Sequence, residues 1–325
     1  RAAAESKVHL FFDEIQEVDG WERALRSFMV DYDADIYVTG SNASMLSGDL
    51  ATHITGRYIR IPVYPFSFSE FVSAYNQAGL GGDVQRIFAD YVVQGGFPFQ
   101  CELGFAREPS LQYLEDVLAT VLFKDVVQHN AIRDSDQLSR ILRYVIEQIG
   151  HSFSAKSISD YLKSERRSVS IDTVYNYIQA AEQACLLHRV PREDALGKRA
   201  LRFNEKVYLV DQGLRSALGF SNENAIDQVL ENIVYMELLR RDCDVSVGKV
   251  GEREVDFIAK RGGEAAYYQI AYLLADKATA EREFGALEAI DDNYPKYVLS
   301  LDTFQRERNG IRSLNLIEWL LENQG

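Results

Sequence analysis

The sequence has few of the residues that stabilise secreted proteins or bind structural zinc. Its 325 residues include three cysteines, Cys101, Cys185 and Cys243, which lie far apart without a C-x-x-C pair or a histidine cluster. This pattern predicts neither a disulfide framework nor a zinc site. The sequence also has no apolar run near the ~20 residues that span a bilayer, and no signal-peptide pattern. We therefore expect a cytoplasmic protein that works without a membrane.

Positive charge is scarce as well. Lysine and arginine number 35 against 49 aspartates and glutamates, so the net charge is −14. Because attraction to phosphate needs a positive surface, this balance excludes a generally adhesive nucleic-acid binder and restricts any such contact to a local patch. The five histidines are scattered without ligand spacing, and we interpret them as core or surface residues.

The first apolar run ends in two carboxylates. The segments "VHLFFDEI" and "ADIYVTGS" flank the amphipathic "WERALRSFMVDYD", which predicts a strand, a helix and a parallel strand. Asp13 and Glu14 follow the first strand, and Ser41 and Asn42 follow the second. Ligands of α/β sheets bind at this edge, and paired carboxylates there can hold Mg²⁺ and orient an attacking water. On its own, an apolar run ending in Asp-Glu is a weak signal.

The middle of the chain is predicted to be helical and then to form a winged helix. Helical periodicity runs through residues 66–133, with a break at "GGFP". Residues 136–211 then give three amphipathic helices followed by two extended segments joined by "EDALGK". On the third helix, Tyr175, Asn176 and Gln179 point away from the apolar face and could reach base edges.

This predicted winged helix has a small local excess of positive charge. Residues 151–210 contain ten lysines and arginines against seven acidic residues, an excess of three. We expect Arg166, Arg167, Lys198 and Arg199 to be the phosphate contacts. Winged helices also serve as packing or protein-interaction modules, and that alternative stays open.

The motifs in their order resemble the AAA-type ATPases of bacteria and archaea that carry a C-terminal domain of unknown function. The resembling segments are "FFDEIQ", "YVTGSNASML", "TGRYIRIPVYPFSFSEF", "VVQGGFP", "LFKDVV", "ENIVYMEL" and "EVDFIAK". The resemblance implies ATP and Mg²⁺ as cofactors. It assigns Mg²⁺ coordination to Asp13, water positioning to Glu14, γ-phosphate sensing to Ser41 or Asn42, and an arginine finger to Arg57. For Arg57, a surface or interdomain salt bridge is an equal alternative.

One element of that family is missing from the sequence. No GxxxxGK[ST] loop precedes the Asp-Glu strand, and the Gly-Lys pairs at 197–198 and 248–249 do not open a helix after a strand. Because the chain starts abruptly at Arg1, we expect that an upstream strand, loop and helix were truncated; loss of nucleotide binding in the lineage is the alternative. Either way, the chain as given should bind ATP weakly.

The C-terminal segment predicts an α/β domain that resembles the restriction-endonuclease-like fold. In that fold one Asp and one Glu bind Mg²⁺, and a lysine of an E-x-K slot polarises the attacking water. Glu231 and Asp256 match the carboxylates, but the slot reads Gln269-Ile270-Ala271. We interpret this as a degenerate site in which Gln269 or Tyr272 could contact a nucleic-acid backbone. Cleavage would need a lysine from elsewhere, such as Lys260 or Lys277, and Glu237 could join the acids in holding a metal.

Together these patterns predict an α/β protein of four parts. They are a partial P-loop parallel sheet (residues 1–65), a helical subdomain (66–133), a winged helix (134–215) and a restriction-endonuclease-like α/β domain (216–325). We expect an AAA-type ATPase that acts on double-stranded DNA or on a protein partner, with a homo-oligomer as a further possibility. The alternatives are a non-enzymatic DNA-binding or regulatory module and, with less support, a Mg²⁺-dependent nuclease.

Overall fold

The computed structural model describes residues 7–41, 57–128, 130, 132–195 and 199–322, with the side chains of residues 199–204 left out. Among these residues, no helix is both long enough and apolar enough to cross a bilayer.

The N-terminal part is a small parallel sheet with one helix. It contains β1 (Val8–Phe12), α1 (Trp21–Asp31) and β2 (Ala34–Val38). The two strands pair in parallel from Val8 opposite Ala34 to Phe12 opposite Val38. The predicted order of strand, helix and parallel strand is therefore confirmed. The helix packs on one face of the sheet through a core built on Ile15, Trp21 and Leu25.

The next part is helical, as its periodicity predicted. It contains α2 (Phe68–Gln77), α3 (Val84–Gln94), α4 (Arg107–Thr120) and a π-helix (Val121–Gln128) that continues α4. A capping box starts α2, because the Ser67 hydroxyl accepts from the Glu70 N–H while the Glu70 carboxylate accepts from the Ser67 N–H. Such π-helical turns are rare and often mark functional sites.

Three capped helices and a β-ribbon follow. They are α5 (Ser135–Glu147), α6 (Ala155–Ser164), α7 (Ile171–Gln183), β3 (Leu187–Asp194) and β4 (Arg199–Leu209). Each helix begins after a residue whose side chain accepts from the backbone of the first turn, which are Asp134, Ser154 and Ser170.

The C-terminal part completes one large mixed sheet. Its elements are α8 (Gly213–Ala217), α9 (Ile226–Arg240), β5 (Asp244–Val250), β6 (Arg253–Arg261), β7 (Glu264–Ile270), α10 (Lys277–Glu288), β8 (Lys296–Ser300), β9 (Glu307–Arg308), β10 (Ile311–Asn315) and α11 (Leu316–Leu321). The strand order is β4-β3-β5-β6-β7-β8-β10-β9. Because β3 pairs in parallel with β5, the ribbon belongs to this sheet, which continues across the predicted boundary at residue 215. Strands β9 and β10 lack a clear sequence signal and were missed.

A buried polar junction joins the helical part to the end of β4. The carboxylate of Asp211 accepts hydrogen bonds from the N–H groups of Gly96 and Gly213, each at 2.7 Å. A Cβ on Gly96 would collide with the carbonyl oxygen of Phe66, and one on Gly213 with that of Gln94. This close approach explains why glycine stands at position 96 of the "GGFP" break and at position 213. Burial raises the pKa of Asp211 to about 6.

Candidate functional site

The predicted carboxylates meet hydroxyl groups at the carboxyl edge of the small sheet. Thr39, directly after β2, donates its hydroxyl to the carboxylate of Asp13 and accepts from the N–H of Glu14 at 3.1 Å. Glu14 adopts a left-handed backbone with φ of 47°, which turns the chain sharply after β1. Asp13 is exposed and Glu14 is partly buried. Parallel pairing of the two strands is what brings these groups together.

A second polar group extends this edge toward the helical part. The Ser41 hydroxyl oxygen lies 3.4 Å from Glu14 Oε2 and 3.2 Å from Asp125 Oδ1. Gln16 donates its amide to the carboxylate of Glu14, with its Nε2 also 3.5 Å from the Ser41 oxygen. Glu14 is therefore held by two neutral polar side chains, and Ser41 links it to Asp125 of the π-helix. We call Asp13, Glu14, Thr39, Ser41 and Asp125 the strand-edge site.

The sequence patterns did not indicate Asp125 as a site residue. It is 9% exposed and lies 84 positions from Ser41, so no local pattern predicts the contact. The signal available was the "LFKDVV" segment, whose acidic residue interrupts an apolar helical run. Next to it, Lys124 forms an exposed ion pair with Glu17 at 3.0 Å, and that carboxylate raises the pKa of the lysine.

The strand-edge site fits part of what ATP and Mg²⁺ require. Mg²⁺ keeps several of its waters and takes one or two carboxylates, and the exposed Asp13 with the adjacent Glu14 offers such oxygen donors. In the described part of the chain, no group of three His, Cys, Asp or Glu side chains is arranged to hold a metal by itself. The sequence supplies no phosphate-binding glycine loop. The residues present therefore suit a hydrated Mg²⁺ with nucleotide phosphates, and they do not form a phosphate cradle.

The structure does not test the roles of two other predicted members of this site. Asn42 lies outside the described residues. Arg57 is exposed and directly follows the undescribed residues 42–56. The predicted roles of both residues stay predictions.

Five of the seven predicted DNA-contacting side chains are described, and they lie on two stretches of the three-helix part. Tyr175, Asn176 and Gln179 are exposed on one face of α7, with the Tyr175 ring against Phe153. Arg166 and Arg167 lie in the turn after α6. Arg166 is exposed with φ of 62°. Lys198 is outside the described residues, and the side chain of Arg199 is not described either.

Much of the local positive charge is neutralised within the protein. The side chains of seven of the ten counted cations are described, and five of these seven form ion pairs with acids: Lys163 with Asp160, Arg167 with Asp136, Arg189 with Glu182, Arg192 with Glu254, and Lys206 with Glu231 and Glu254. The last two lie under 13% exposed and face the C-terminal part. A count of charges along the sequence therefore overstates the positive surface offered to DNA.

The C-terminal part has a cavity of about 540 Å³ that is lined mainly by polar residues. Its members include Glu231 of α9, Asp256 of β6 and Gln269 of β7, the three predicted positions. The Asp256 carboxylate accepts from the N–H of Ile270 at 2.8 Å, and the Gln269 amide oxygen accepts from the N–H of Asp256 at 3.3 Å. Burial raises the pKa of Asp256 well above its usual range; the charge of Glu231 adds to this rise and Lys206 opposes it. The paired strands β6 and β7 bring Asp256 and Gln269 together, and α9 adds Glu231.

The lysine of this cavity is neither of the two suggested by the sequence. Lys260 pairs with Glu193 at 2.6 Å, and Lys277 is exposed at the start of α10. Lys206 of β4 instead reaches the carboxylates, with its Nζ 3.0 Å from Glu231 Oε2 and 3.8 Å from Asp256 Oδ1. It was missed because it lies 50 positions before Asp256, in the strand interpreted as a wing.

Glu237 and Tyr272, which were also expected at this site, lie outside the cavity lining. The nucleic-acid contact predicted for Tyr272 stays a prediction. Glu237 pairs with Arg241 at 2.8 Å and Arg240 at 3.7 Å, and it does not line the cavity. The side chain of Tyr272 is 44% exposed outside the lining, although its N–H donates to the lining residue Asp227 at 2.9 Å.

Comparisons with known proteins agree with the resemblance noted in the sequence. The profile of an AAA domain family matches residues 1–72, and that of a domain of unknown function, DUF8612, matches residues 85–224. An uncharacterized protein of Methanocaldococcus jannaschii is 28% identical over 298 residues, which cover 87% of this chain and 65% of that protein. The chain thus spans slightly less than two thirds of the archaeal protein.

A solved structure and a bacterial relative complete the comparison. The Walker-type ATPase of Pyrococcus abyssi is similar with a TM-score of 0.46 and 17% identity, over 66% of this chain and 63% of that one, a likeness too loose to assign a function. An uncharacterized protein of Haemophilus influenzae is 34% identical over 323 residues, which cover 98% of this chain and 79% of that protein. The chain belongs to the family of this Haemophilus influenzae protein, and within it residues 1–72 are of the AAA-domain, ATPase-like type.

Proposed function

We propose that this protein is an AAA-type ATPase that acts on DNA or on a partner protein. The observation that carries the proposal is the pair Asp13 and Glu14 at the carboxyl edge of β1, held by the Thr39 and Ser41 hydroxyls that follow the parallel strand β2. P-loop ATPases use an aspartate to hold Mg²⁺ and a polar residue to position the attacking water, and this arrangement suits both roles.

The proposed roles follow from exposure and contacts. Exposed Asp13 binds the hydrated Mg²⁺ that accompanies the nucleotide, because it is the carboxylate open to water. Glu14 orients the attacking water when its contacts with Gln16 and Ser41 release it. Ser41 senses the γ-phosphate, and its contact with Asp125 transmits the event to the π-helix. When bound, ATP supplies the free energy for the coupled movement.

The decisive experiment measures ATP hydrolysis. The protein is produced as this chain and as a chain extended upstream to a GxxxxGK[ST] loop, where the gene encodes one. We expect weak MgATP binding by the first form and hydrolysis by the second. In the extended form, Glu14→Gln should lower kcat by about 10²-fold or more while MgATP still binds.

A matched control separates this effect from a general loss of charge. Asp19→Asn removes an exposed acid nearby and should leave kcat unchanged. Hydrolysis by Glu14→Gln at the wild-type rate would refute the assigned role. Absence of any upstream loop in the gene would favour the non-enzymatic regulatory module instead.

Action on DNA is the finer part of the proposal, supported by the exposed polar face of α7. We expect Arg166→Glu combined with Arg167→Glu to weaken binding to duplex DNA. Each lost phosphate contact should reduce the slope of log affinity against log salt by about 0.9. The double variant Arg23→Glu with Arg26→Glu changes the same charge on α1, in the N-terminal part, and serves as the control. Equal weakening by both double variants would refute this placement and favour a protein partner.

The nuclease alternative has less support. Gln269 stands where a metal-binding carboxylate is needed, and Ala271 stands where the slot would carry a lysine. The alternative requires Mg²⁺-dependent nicking of DNA that Asp256→Ala abolishes. No nicking at millimolar Mg²⁺ is the outcome we expect.

A further inference from the structure

Three carboxylates surround the ammonium group of Lys206. Its Nζ lies 2.7 Å from Glu254 Oε1, 3.0 Å from Glu231 Oε2 and 3.8 Å from Asp256 Oδ1. The lysine side chain is 4% exposed. An ammonium group has three N–H donors, so one donor is available for each acid. The lysine is therefore buried behind three acids that line the C-terminal cavity, and it does not extend into water.

The acids have additional partners, and all of them are donors. Glu231 accepts from the Tyr208 hydroxyl at 3.0 Å, and Glu254 pairs with Arg192. Asp256 accepts from a backbone N–H of β7. Burial and the charge of Glu231 raise the pKa of Tyr208, so its phenol stays protonated and remains a donor. Lys206, Arg192 and Tyr208 all come from the β3–β4 ribbon, so the ribbon supplies the groups that compensate these acids.

Buried acids that repel one another need a cation between them. Oxygen ligands of this kind hold divalent cations when the space between them is free. Here the ammonium group lies within hydrogen-bonding distance of two of the three acids and fills that space. A lysine that activates water beside a metal would instead have to leave the carboxylates open for the metal.

We propose that the ammonium group of Lys206 occupies the position that a divalent metal would take between the acids of the C-terminal cavity. With the ribbon in this position, the cavity is closed to Mg²⁺ and Mn²⁺. As they stand in the described part of the chain, these acids are not arranged to hold a metal by themselves. Removal of the ammonium group frees Glu231, Glu254 and Asp256 to converge on a divalent cation. The strand that follows the three-helix part thereby controls metal access to the cavity. This inference does not depend on the ATPase proposal.

Titration with Mn²⁺ alone tests the inference directly. The whole chain is used, with Asp13→Asn as the background so that the strand-edge site does not contribute. Bound Mn²⁺ is measured by electron paramagnetic resonance. We expect no stoichiometric binding at millimolar Mn²⁺ with Lys206 present, and one bound ion with an affinity at least about tenfold higher in Lys206→Ala.

Lys260→Ala is the matched control, because Lys260 also pairs with a carboxylate, Glu193, but outside this cavity. It should not create a Mn²⁺ site. Adding Glu231→Gln to Lys206→Ala should abolish the new site. Stoichiometric Mn²⁺ binding by the chain with Lys206 intact, lost on Asp256→Asn, would overturn the proposal.

Loss of the ammonium group leaves the buried acids without the cation that they share, so we expect Lys206→Ala to lose stability without metal. Its thermal unfolding is therefore followed with and without Mn²⁺. A rise in Tm with Mn²⁺ in the variant alone supports the proposal. If that variant does not fold in either condition, Lys206→Gln provides the second test, since its side chain is neutral, polar and of similar length. Mn²⁺ binding by Lys206→Gln no tighter than with Lys206 would overturn the proposal.

Discussion

Two buried aspartates, Asp211 and Asp256, are stabilised inside the protein in different ways. Asp211 is 2% exposed and is compensated by backbone N–H groups of Gly96 and Gly213. Asp256 is 6% exposed and lies beside the ammonium group of Lys206. Hydrogen bonds stabilise the first carboxylate, and a neighbouring charge stabilises the second. In both, burial outweighs these contacts and raises the pKa.

The raised pKa of Asp211 predicts a pH dependence of stability. Between its ordinary 3.8 and about 6, the folded protein keeps a proton on Asp211 that the unfolded chain releases. The contribution of this group to the free energy of unfolding therefore falls as the pH rises through that interval and stays absent above it. The asparagine of Asp211→Asn does not titrate. The free energy of unfolding of this variant should therefore fall less steeply with pH across the interval than that of the wild type.

Urea denaturation at a series of pH values measures this difference. Asp256 has the same sign of shift, but it is present in both proteins and cancels in the comparison. Asp172→Asn on the exposed face of α7 should retain the wild-type slope. Equal slopes for Asp211→Asn and the wild type would mean that Asp211 does not titrate in this range.

At the scale of elements, the helices follow from local sequence patterns, whereas the place of the ribbon in the sheet depends on long-range contacts. The apolar face predicted for α5 is buried at Leu138, Ile141, Leu142, Val145 and Ile146. Asp134 caps this helix, as a residue of that type does when it precedes an amphipathic run. The two ribbon strands were also predicted, yet the parallel pairing of β3 with β5 was not, because strand partners depend on the whole chain.

At the junction between α3 and α8, we expect even a methyl side chain at position 96 to lower the free energy of unfolding strongly. Gly96→Ala should destabilise the protein by about 3 kcal/mol, because the new Cβ would collide with the Phe66 carbonyl in a well-packed region. The same shift would disturb the hydrogen bond from the Gly96 N–H to Asp211. Chemical denaturation gives the free energy of unfolding.

Gly82→Ala is the matched change for this prediction. A Cβ there would come no closer than 4.0 Å to the nearest atom, the Leu80 carbonyl oxygen, so we expect a change within about 0.5 kcal/mol. Similar stability of the two variants would show that the junction can relax around Gly96.

At the scale of the whole molecule, the described residues form hydrophobic cores of very different size. The N-terminal sheet is centred on three buried residues, whereas the largest core runs from Phe68 to Leu320. The contacts described between the two include the Ser41–Asp125 hydrogen bond and the exposed Glu17–Lys124 ion pair. A two-stranded sheet is marginally stable, and exposed ion pairs contribute little.

This imbalance predicts that the N-terminal part unfolds first. The two tryptophans report separately, since Trp21 lies in the small core and Trp319 in the large one. In Trp319→Phe, the fluorescence of Trp21 should change at a lower urea concentration than that of Trp319 in Trp21→Phe. Circular dichroism on each variant controls for destabilisation by the substitution. Coincident transitions would show that the parts unfold as one unit.

The strand-edge site was predictable in part, and the reason is geometric. Asp13, Glu14 and Ser41 follow predicted parallel strands, whose carboxyl ends meet at one edge whatever the rest of the chain does. Asp125 joins them from a helix 84 positions away, and Lys206 enters the other cavity from a strand 50 positions before Asp256. No periodicity relates such positions. The choice of Lys260 or Lys277 failed because nearness in sequence does not measure nearness in a mixed sheet.

By itself, the sequence determined the local elements and the acids at the strand ends, because apolar periodicity and capping act over a few neighbouring residues. Only the tertiary structure decided that five of the seven described cations counted in residues 151–210 pair with acids of the same chain. It also decided that a buried lysine neutralises the C-terminal carboxylates. These outcomes depend on burial, since a buried charge needs a partner and the fold determines which partner is within reach.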